Sequence, residues 1–236
     1  MAVVLVAIVG LGWFAVSSIL DNIKHINPFC HSCSRPSAGA SGDLNILIVG
    51  SDSRAGLTRP QELQLHVGKA DGRRSDTMIL LHIPSGGGKA VMVSLPRDSY
   101  VKIPAHRSGG KLVAAAMNKL NAAYSEGGAA LTIRTVEANT GVRIDHYIEI
   151  NFLGFVNMVN ALGGVNICSA SAISDPIHYD STSGTNVGSG LELPAGTSHL
   201  DGATALEYVR AREFDPATGD LGRIQRQQKF MAAMMN

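Results

Sequence analysis

The sequence is short of net charge, of aromatic residues and of cysteine. Twenty Lys and Arg against 19 Asp and Glu leave a formal charge of +1. That balance removes any general electrostatic case for nucleic acid, so an anion site must be local. Only three cysteines occur, which excludes a four-thiolate zinc site. Aromatics make up 5% of the chain, whereas glycine contributes 26 residues. Residues 2–20 (AVVLVAIVGLGWFAVSSIL) lack any charge, and only Met1 precedes them. The positive-inside rule therefore has nothing to count on that flank.

What is present supports a folded domain behind an anchor. Hydrophobic residues reach 45% of 236, enough for a packed core in one sizeable domain or two small ones. At about 1.5 Å per residue, residues 2–20 nearly span a hydrocarbon layer ~30 Å thick. A signal peptide is the rival reading. Its apolar region is usually shorter, follows positive charge and ends at a small-residue cleavage site, and none of these features is visible. Residues 1–20 are read as a single transmembrane anchor. An anchor ordinarily carries a charged flank, so the expectation is a chain lacking its natural start. Residues 21–43 read as a linker with Pro28, Pro36 and a small-residue stretch, and they contain Cys30-His31-Ser32-Cys33. That spacing is open to a local disulfide, free thiols, a zinc half-site completed by His25 or His31, or redox chemistry.

The densest chemistry lies in residues 74–98 (RSDTMILLHIPSGGGKAVMVSLPRD). Two short apolar runs, 76–83 and 89–95, flank a Pro- and Gly-rich turn, which predicts an antiparallel hairpin. With Ile83 near Lys89, Asp76 falls opposite Pro96 and Arg74 opposite Asp98. Arg74, Asp76, Arg97 and Asp98 then share one sheet edge. Guanidinium forks suit phosphate, and carboxylate oxygens suit Mg²⁺. A surface charge ladder is the plain alternative. Residues 44–50 (LNILIVG) predict a buried strand that delivers Asp52 and Arg54 to a loop. Asp52 joins the same edge if that strand runs parallel to 89–95, since ligands of open α/β sheets sit beyond the carboxyl ends of strands. An Asx turn is the ordinary use of such an Asp.

The remaining chain alternates between helix and strand signals. Residues 58–73 read as a polar loop, 100–103 as an extension of the hairpin strand, and 106–111 as a basic loop. Helices are expected over 118–125 and 129–139, broken at Gly127-Gly128 and closed by Gly141. A strand is expected at 146–150 and a helix at 151–162 with Phe152, Phe155, Val156 and Val159 on one face, as core or as a lipid-lined groove. A short strand (165–168) and a long polar loop (169–190) follow. Asp201 is a candidate cap for a helix over 202–209. Arg210 and Arg212 share a face only in extended backbone, so joint use of the two requires that helix to end near Val209. A last helix over 220–236 sets Arg223 and Gln227 four apart, and it runs to Asn236 without a stop signal. The chain therefore reads as cut short there too.

Six blocks in order now carry a resemblance: Gly50-Ser-Asp-Ser-Arg54, Arg74-Ser-Asp-Thr-Met78, Ser94-Leu-Pro-Arg-Asp98, Lys119-Leu-Asn-Ala-Ala-Tyr124, Val209-Arg-Ala-Arg212 and Asp220-Leu-Gly-Arg-Ile-Gln-Arg-Gln-Gln228. Together, over residues 44–236, they resemble the LytR-CpsA-Psr family of cell-wall glycopolymer ligases, actinobacterial members most. The resemblance implies an α/β/α sandwich around a central mixed sheet, preceded by one N-terminal transmembrane helix, in a single-pass cell-membrane protein with its catalytic domain outside the cytoplasm. It implies transfer of a glycopolymer, arabinogalactan in actinobacterial members, from a polyprenyl-pyrophosphate carrier to a peptidoglycan hydroxyl, assisted by Mg²⁺. Position by position, the metal aspartates fall on Asp52 and Asp76, and the pyrophosphate arginines on Arg74, Arg97, Arg210, Arg212 and Arg223. Gln227 takes the motif glutamine. Asp76, Arg97 and Asp98 are the catalytic candidates, Asp98 as a candidate base. Residues 58–73 exceed the simplest family pattern.

Two competing classes stand beside this reading. A binding module for polyprenyl-linked lipid needs the arginines but not the paired carboxylates. A pyrophosphatase on the same lipid needs water as acceptor. Asp52 with Asp76 favours an enzyme.

Overall fold

Residues 44–51 alternate half-buried and buried side chains and form strand β1 (Leu44–Ser51), with Leu47 and Val49 fully buried. The computed structural model describes residues 24–30, 33–39, 42–67, 74–181, 185–211 and 219–234. The segment read as the membrane anchor lies outside them. Among the described residues, no helix is long and apolar enough to cross a membrane. The chain divides into two compact units, one of residues 27–55 and 69–152, the other including 56–68 and 153–236.

The first unit is built on a four-stranded mixed sheet. After β1, the chain forms helix α1 (Arg59–Gln64), which belongs to the second unit, and returns as β2 (Ser75–Ile83) and β3 (Val91–Ser94). Strand β2 is antiparallel to both β1 and β3. Strand β1 thus points the same way as β3, as the site argument required. Met78, Ile79 and Leu80 are buried in succession, as expected of an apolar run between two partners. Strand β3 is an edge, with Val91 and Val93 about half exposed.

The β2–β3 register differs from the expected one by one residue. Leu80 pairs with Val93, whereas Ile83 beside Lys89 requires Met92. The turn consumes Lys89 and Ala90 as well, so the second strand starts later. The ladder ends at Ser94, and the chain leaves it in a turn closed by Ser99 N–H donating to Pro96 O at 3.0 Å. Arg97 and Asp98 therefore lie beyond the last rung, not on it.

Residues 100–119 form one long hairpin where a strand extension and a basic loop were expected. Strand β4 (Tyr100–Ile103) pairs with β7 (Ala116–Lys119), and β5 (His106–Ser108) pairs with β6 (Lys111–Val113). Both pairs share one register, which continues across the gap at Pro104-Ala105, where proline cannot donate to a ladder. Gly109 and Gly110 close the tip with φ of +57° and +82°, values that favour glycine at both central positions of a two-residue turn.

Helix α2 (Leu120–Thr140) then crosses over to β8 (His146–Ile150), which pairs parallel with β1. The expected break is a kink: Gly128 sits at φ 59° and ψ −151° inside the helix. Gly141 ends it in the left-handed conformation at φ 71°, as its sequence signal predicts. Leu47, Val49, Met78 and Leu80 of the sheet pack with Leu120, Tyr124, Ile133 and Val136 of α2.

The stretch read as a linker is docked onto this unit. The Arg35 guanidinium grips the buried Glu137 carboxylate through Nε and Nη2, at 3.1 and 2.6 Å, and donates to Ile144 O. Its face lies 4.8 Å from the Phe29 ring centroid. Cys30 and Cys33 lie side by side with Cα atoms 5.7 Å apart, a separation that the local-disulfide reading of that motif requires.

The second unit pairs β9 (Val165–Ser169), β10 (Ile173–Asp175), β11 (His178–Asp180), β12 (Thr185–Val187), β13 (Leu191–Leu193) and β14 (Gly196–Leu200) as β9–β14, β10–β13 and β11–β12. The polar loop expected over 169–190 thus holds one strand pair of its own, β11–β12, and the strand β10 that pairs with β13 beyond it, and α1 occupies part of the loop expected over 58–73. Helices α3 (Phe152–Ala161), α4 (Gly202–Arg210) and α5 (Gly219–Met234) complete the unit. Val159, Ile167, Leu200, Tyr208 and Phe230 form its core, with Phe155 and Phe230 rings 5.2 Å apart. The core reading of the α3 aromatics holds for Phe155. Asp201 caps α4 by accepting from Thr204 N–H at 2.8 Å. Gly202 is required there, because a Cβ would meet Val156 O at 2.3 Å.

Candidate active site

The carboxyl ends of β1 and β3 and the amino end of β2 meet at one edge of the sheet. There Asp52 and Arg74 are clasped to each other through the main chain. Asp52 N–H donates to Arg74 O at 3.1 Å, and Arg74 N–H donates to Asp52 Oδ1 at 2.9 Å. The carboxylate is held by a residue 22 positions away rather than by its own turn, so the plain Asx-turn alternative does not describe it. One oxygen is committed to the backbone. Arg74 itself is exposed.

Asp76 occupies a β-bulge. On β1, Gly50 pairs with Thr77 and Ser51 with Ser75, so Asp76 is the extra residue on β2. Such an insertion interrupts the ladder locally and strengthens its twist, a device common beside active sites. No residue pattern announces it, since the apolar pattern that sets register begins only at Met78.

The loop after β3 supplies the second cluster. Arg97 Nε lies 3.3 Å from Asp98 Oδ2, and Lys119 Nζ lies 2.7 Å from Asp98 Oδ1. Lys119 foremost, with Arg97, holds the Asp98 carboxyl below the usual carboxylate range. That makes Asp98 a weaker proton acceptor than a free aspartate. Arg97 and Ser99 are fixed by their carbonyls, which accept from Asn121 and Leu120 N–H at 3.0 and 2.9 Å. These are the first amides of α2, groups with no partner inside the helix.

A buried phenol braces the edge from below. Tyr124 OH donates to Glu149 Oε1 at 2.6 Å and lies 3.0 Å from Ser51 Oγ, directly before Asp52. Tyr147 OH donates to the other Glu149 oxygen at 2.8 Å. Lys119, Tyr124 and Glu149 had no assigned role in the sequence reading. For Lys119 and Tyr124 the signal was available, because both lie in the fourth motif block. Glu149 carried none.

The second unit holds the remaining expected residues. Arg210 Nη1 and Nη2 donate to Leu65 O and His66 O at 3.0 and 3.2 Å, so the fork ties α4 to the end of α1. Arg223 is 4% exposed, and Gln227 Nε2 donates to Val209 O at 3.3 Å. Arg226, which the sequence reading passed over, is also buried and donates to Ala211 O through Nη2. Helix α4 ends at Arg210, one residue past the required point, and Ala211 is extended at φ −52° and ψ 135°. Arg212 lies outside the described residues. Glu207, beside His66 at 3.5 Å, has its carboxyl pushed up by burial.

Comparison with known proteins gives one answer. A family model described as the LytR_cpsA_psr family matches residues 19–236. The "probable cell wall biosynthesis protein LcpB" of Corynebacterium glutamicum is 42% identical over 193 residues, covering 81% of this chain and 41% of LcpB. The "polyisoprenyl-teichoic acid–peptidoglycan teichoic acid transferase TagU" of Oceanobacillus iheyensis is 37% identical, covering 82% of this chain and 51% of that protein. This chain thus spans about two fifths to one half of the length of these curated relatives. Among solved structures, protein gbs0355 of Streptococcus agalactiae matches with a TM-score of 0.63 at 29% identity, covering 82% of this chain and 59% of its own. The TagT protein "with bound octaprenyl pyrophosphate lipid" matches with a TM-score of 0.56 at 28% identity, covering 91% and 68%. By motif order, mixed sheet and sequence identity, this chain is a member of the LytR-CpsA-Psr family.

Proposed function

We propose that this chain is a Mg²⁺-assisted phosphotransferase of cell-wall assembly. It moves a glycopolymer from a polyprenyl-pyrophosphate carrier onto a peptidoglycan hydroxyl and leaves a phosphodiester. The observation that carries this is the clasp of Asp52 with Arg74 beside the bulge at Asp76. It gathers carboxylate and guanidinium at strand ends, where an open α/β sheet binds ligands. The names of the relatives, as teichoic acid transferases and as a protein holding octaprenyl pyrophosphate, support the substrate class. Arabinogalactan is the proposed polymer, from the actinobacterial relative. Residues 2–20 anchor the chain, with residues 44–236 outside the cytoplasmic membrane.

The donor set fits the cation. By residue type, Asp52, one residue past β1, and Asp76, within β2, are hard-oxygen donors, and Mg²⁺ needs only one or two because it keeps waters and takes phosphate oxygens. Bound there, the ion would neutralise charge on the pyrophosphate. The chain's own residues do the positioning. Arg74 and Arg97 hold phosphate oxygens bidentately and stabilise the departing polyprenyl phosphate. Asp98 and Lys119 fix Arg97. The acceptor oxygen forms its bond to the glycan-bearing phosphorus as the pyrophosphate bridge breaks. The hydroxyl proton leaves to water, since a loose transition state asks little of a base and Asp98 is a weak one. Arg212, Arg223 and Gln227 carry the family's pyrophosphate role by resemblance, whereas Arg210, which the same resemblance would include, has its fork spent on Leu65 O and His66 O.

The test is mass spectrometry of the chain incubated with a short polyprenyl-pyrophosphate glycan, Mg²⁺ and a peptidoglycan fragment. A phosphodiester-linked conjugate is expected. Free glycan phosphate alone would make it a pyrophosphatase, and intact co-purifying lipid would make it a binding module.

A further inference from the structure

Residues 99–125 contain Lys102, Arg107, Lys111 and Lys119 and no acidic residue. Most of them belong to the β4–β7 hairpin, which turns apolar side chains to solvent beside these cations. Leu112 is 77% exposed, Tyr100 71% and Met117 48%. Across the rungs, Lys102 stands opposite Met117 and Arg107 opposite Leu112. Three rungs thus pair an apolar or amphipathic side chain with a cation, Tyr100 opposite Lys119 being the third, and Lys111 stands opposite Ser108 next to the tip. Lys119 is already held by Asp98, which leaves Lys102, Arg107 and Lys111 for a partner.

We propose that this hairpin contacts a bilayer surface. Leu112, Met117 and Tyr100 enter the headgroup layer, and Lys102, Arg107 and Lys111 meet anionic phospholipid headgroups. A soluble polyanion would satisfy the cations but leave Leu112 and Met117 in water. A bilayer takes both, and tyrosine is favoured at its interface. The Gly109-Gly110 turn gives the hairpin a narrow tip with no acidic residue to be repelled.

Position supports the same partner. Residues 33–36, downstream of the apolar segment 2–20, share a cavity of about 510 Å³ with Pro104 and Arg134. Arg134 Nη2 donates to Ala105 O at 3.2 Å, in the middle of the hairpin. The docked linker therefore arrives at the hairpin itself. The inference rests on the anchor reading only for how the hairpin is brought to a bilayer.

The chain has a single tryptophan, Trp13, inside the anchor segment, which allows the two readings to be tested separately. The full chain is reconstituted in phosphatidylcholine vesicles with and without phosphatidylglycerol, with bromine on the acyl chains as quencher. The native chain reports the anchor through Trp13. The double variant Trp13→Phe, Leu112→Trp reports the hairpin, and Trp13→Phe, Met117→Trp is the second probe should the first misfold by circular dichroism. The new indole is expected to shift to the blue and to be quenched in phosphatidylglycerol vesicles. Adding Lys102→Glu, Arg107→Glu and Lys111→Glu should cut that quenching about tenfold or more, since each cation is worth roughly fivefold in partitioning to an anionic surface. Quenching of Trp13 with an unquenched hairpin indole overturns this inference and leaves the anchor standing. Quenching of neither overturns both. Equal quenching without phosphatidylglycerol, or a spectral shift with polyphosphate but not with vesicles, also overturns it.

Discussion

The two units use arginine in opposite ways. In the sheet unit, Arg74 and Arg97 are fixed through their main chains, by Asp52 N–H and Oδ1 and by the first amides of α2, and Arg74 is an exposed residue. In the second unit, the guanidinium is itself the joint: Arg210 ties two carbonyls near the end of α1, and Arg226 holds Ala211 O. The first arrangement presents charge, and the second uses charge as mortar. One residue type in one family motif set therefore gives two kinds of mutant.

The largest effect should come from Asp76→Ala. Transfer is expected to fall about 10²–10³-fold, the scale of removing a preorganised electrostatic group, while the thermal midpoint stays near wild type. Normal turnover by a folded mutant would remove Asp76 from the site. Next is Arg97→Lys, which keeps the charge but loses the bidentate fork. An activity loss of about tenfold or more is expected by product mass spectrometry, again at nearly constant melting temperature. If melting falls instead, Arg97 belongs with the mortar. Arg210→Met should show the reverse balance. Losing a charged donor to two carbonyls costs about 1.5–3 kcal/mol, read by denaturant titration; an unchanged midpoint would mean that those carbonyl bonds are not what holds α4 to α1.

The smallest effect concerns the α4 cap and its pH dependence. Asp201→Ala should cost about 1 kcal/mol near neutral pH. Thr204 N–H draws the Asp201 carboxyl below its ordinary range, so its stabilisation is full above the unfolded pKa of about 3.9 and fades as pH falls through the lower folded value. The wild-type advantage should therefore shrink in acid. Glu207 has the opposite sign. Burial raises its pKa, so its cost to stability grows as pH rises from about 4.3 through the folded value. Glu207→Gln should flatten that slope, and an unchanged pH profile would show that His66 and Arg210 already offset the burial.

Local signals were legible in the sequence and long-range ones were not. The Asp201 cap, the Gly141 stop and the strand at 146–150 each depend on a few adjacent residues, and each stands where expected. The Gly127-Gly128 break is present as a kink within one helix. The hairpin over 74–98 was legible as an element but not in register, because a seven-residue turn does not fix where pairing resumes. Residues 106–111 read as a loop because they are basic and glycine-bearing, and their pairing merely continues that of β4 and β7. The composition of the candidate edge was legible through its motifs. Its clasp was not, since Asp52 and Arg74 meet only once β1 and β2 pair. The carbonyl partners of Arg210 lie 145 and 144 positions away, beyond any spacing rule.

The bulge at Asp76 separates two alignments that a regular strand would lock together. In an unbroken ladder, shifting one residue at the strand end turns every following side chain to the other face. Here the extra residue absorbs the shift between Gly50 and Ser51, so Leu47, Val49, Met78 and Leu80 keep their buried side whatever the edge does. Insertions, deletions and substitutions among residues 51–76 can thus change the candidate edge without disturbing the sheet beneath it. The candidate edge is in effect a replaceable fitting on a fixed frame.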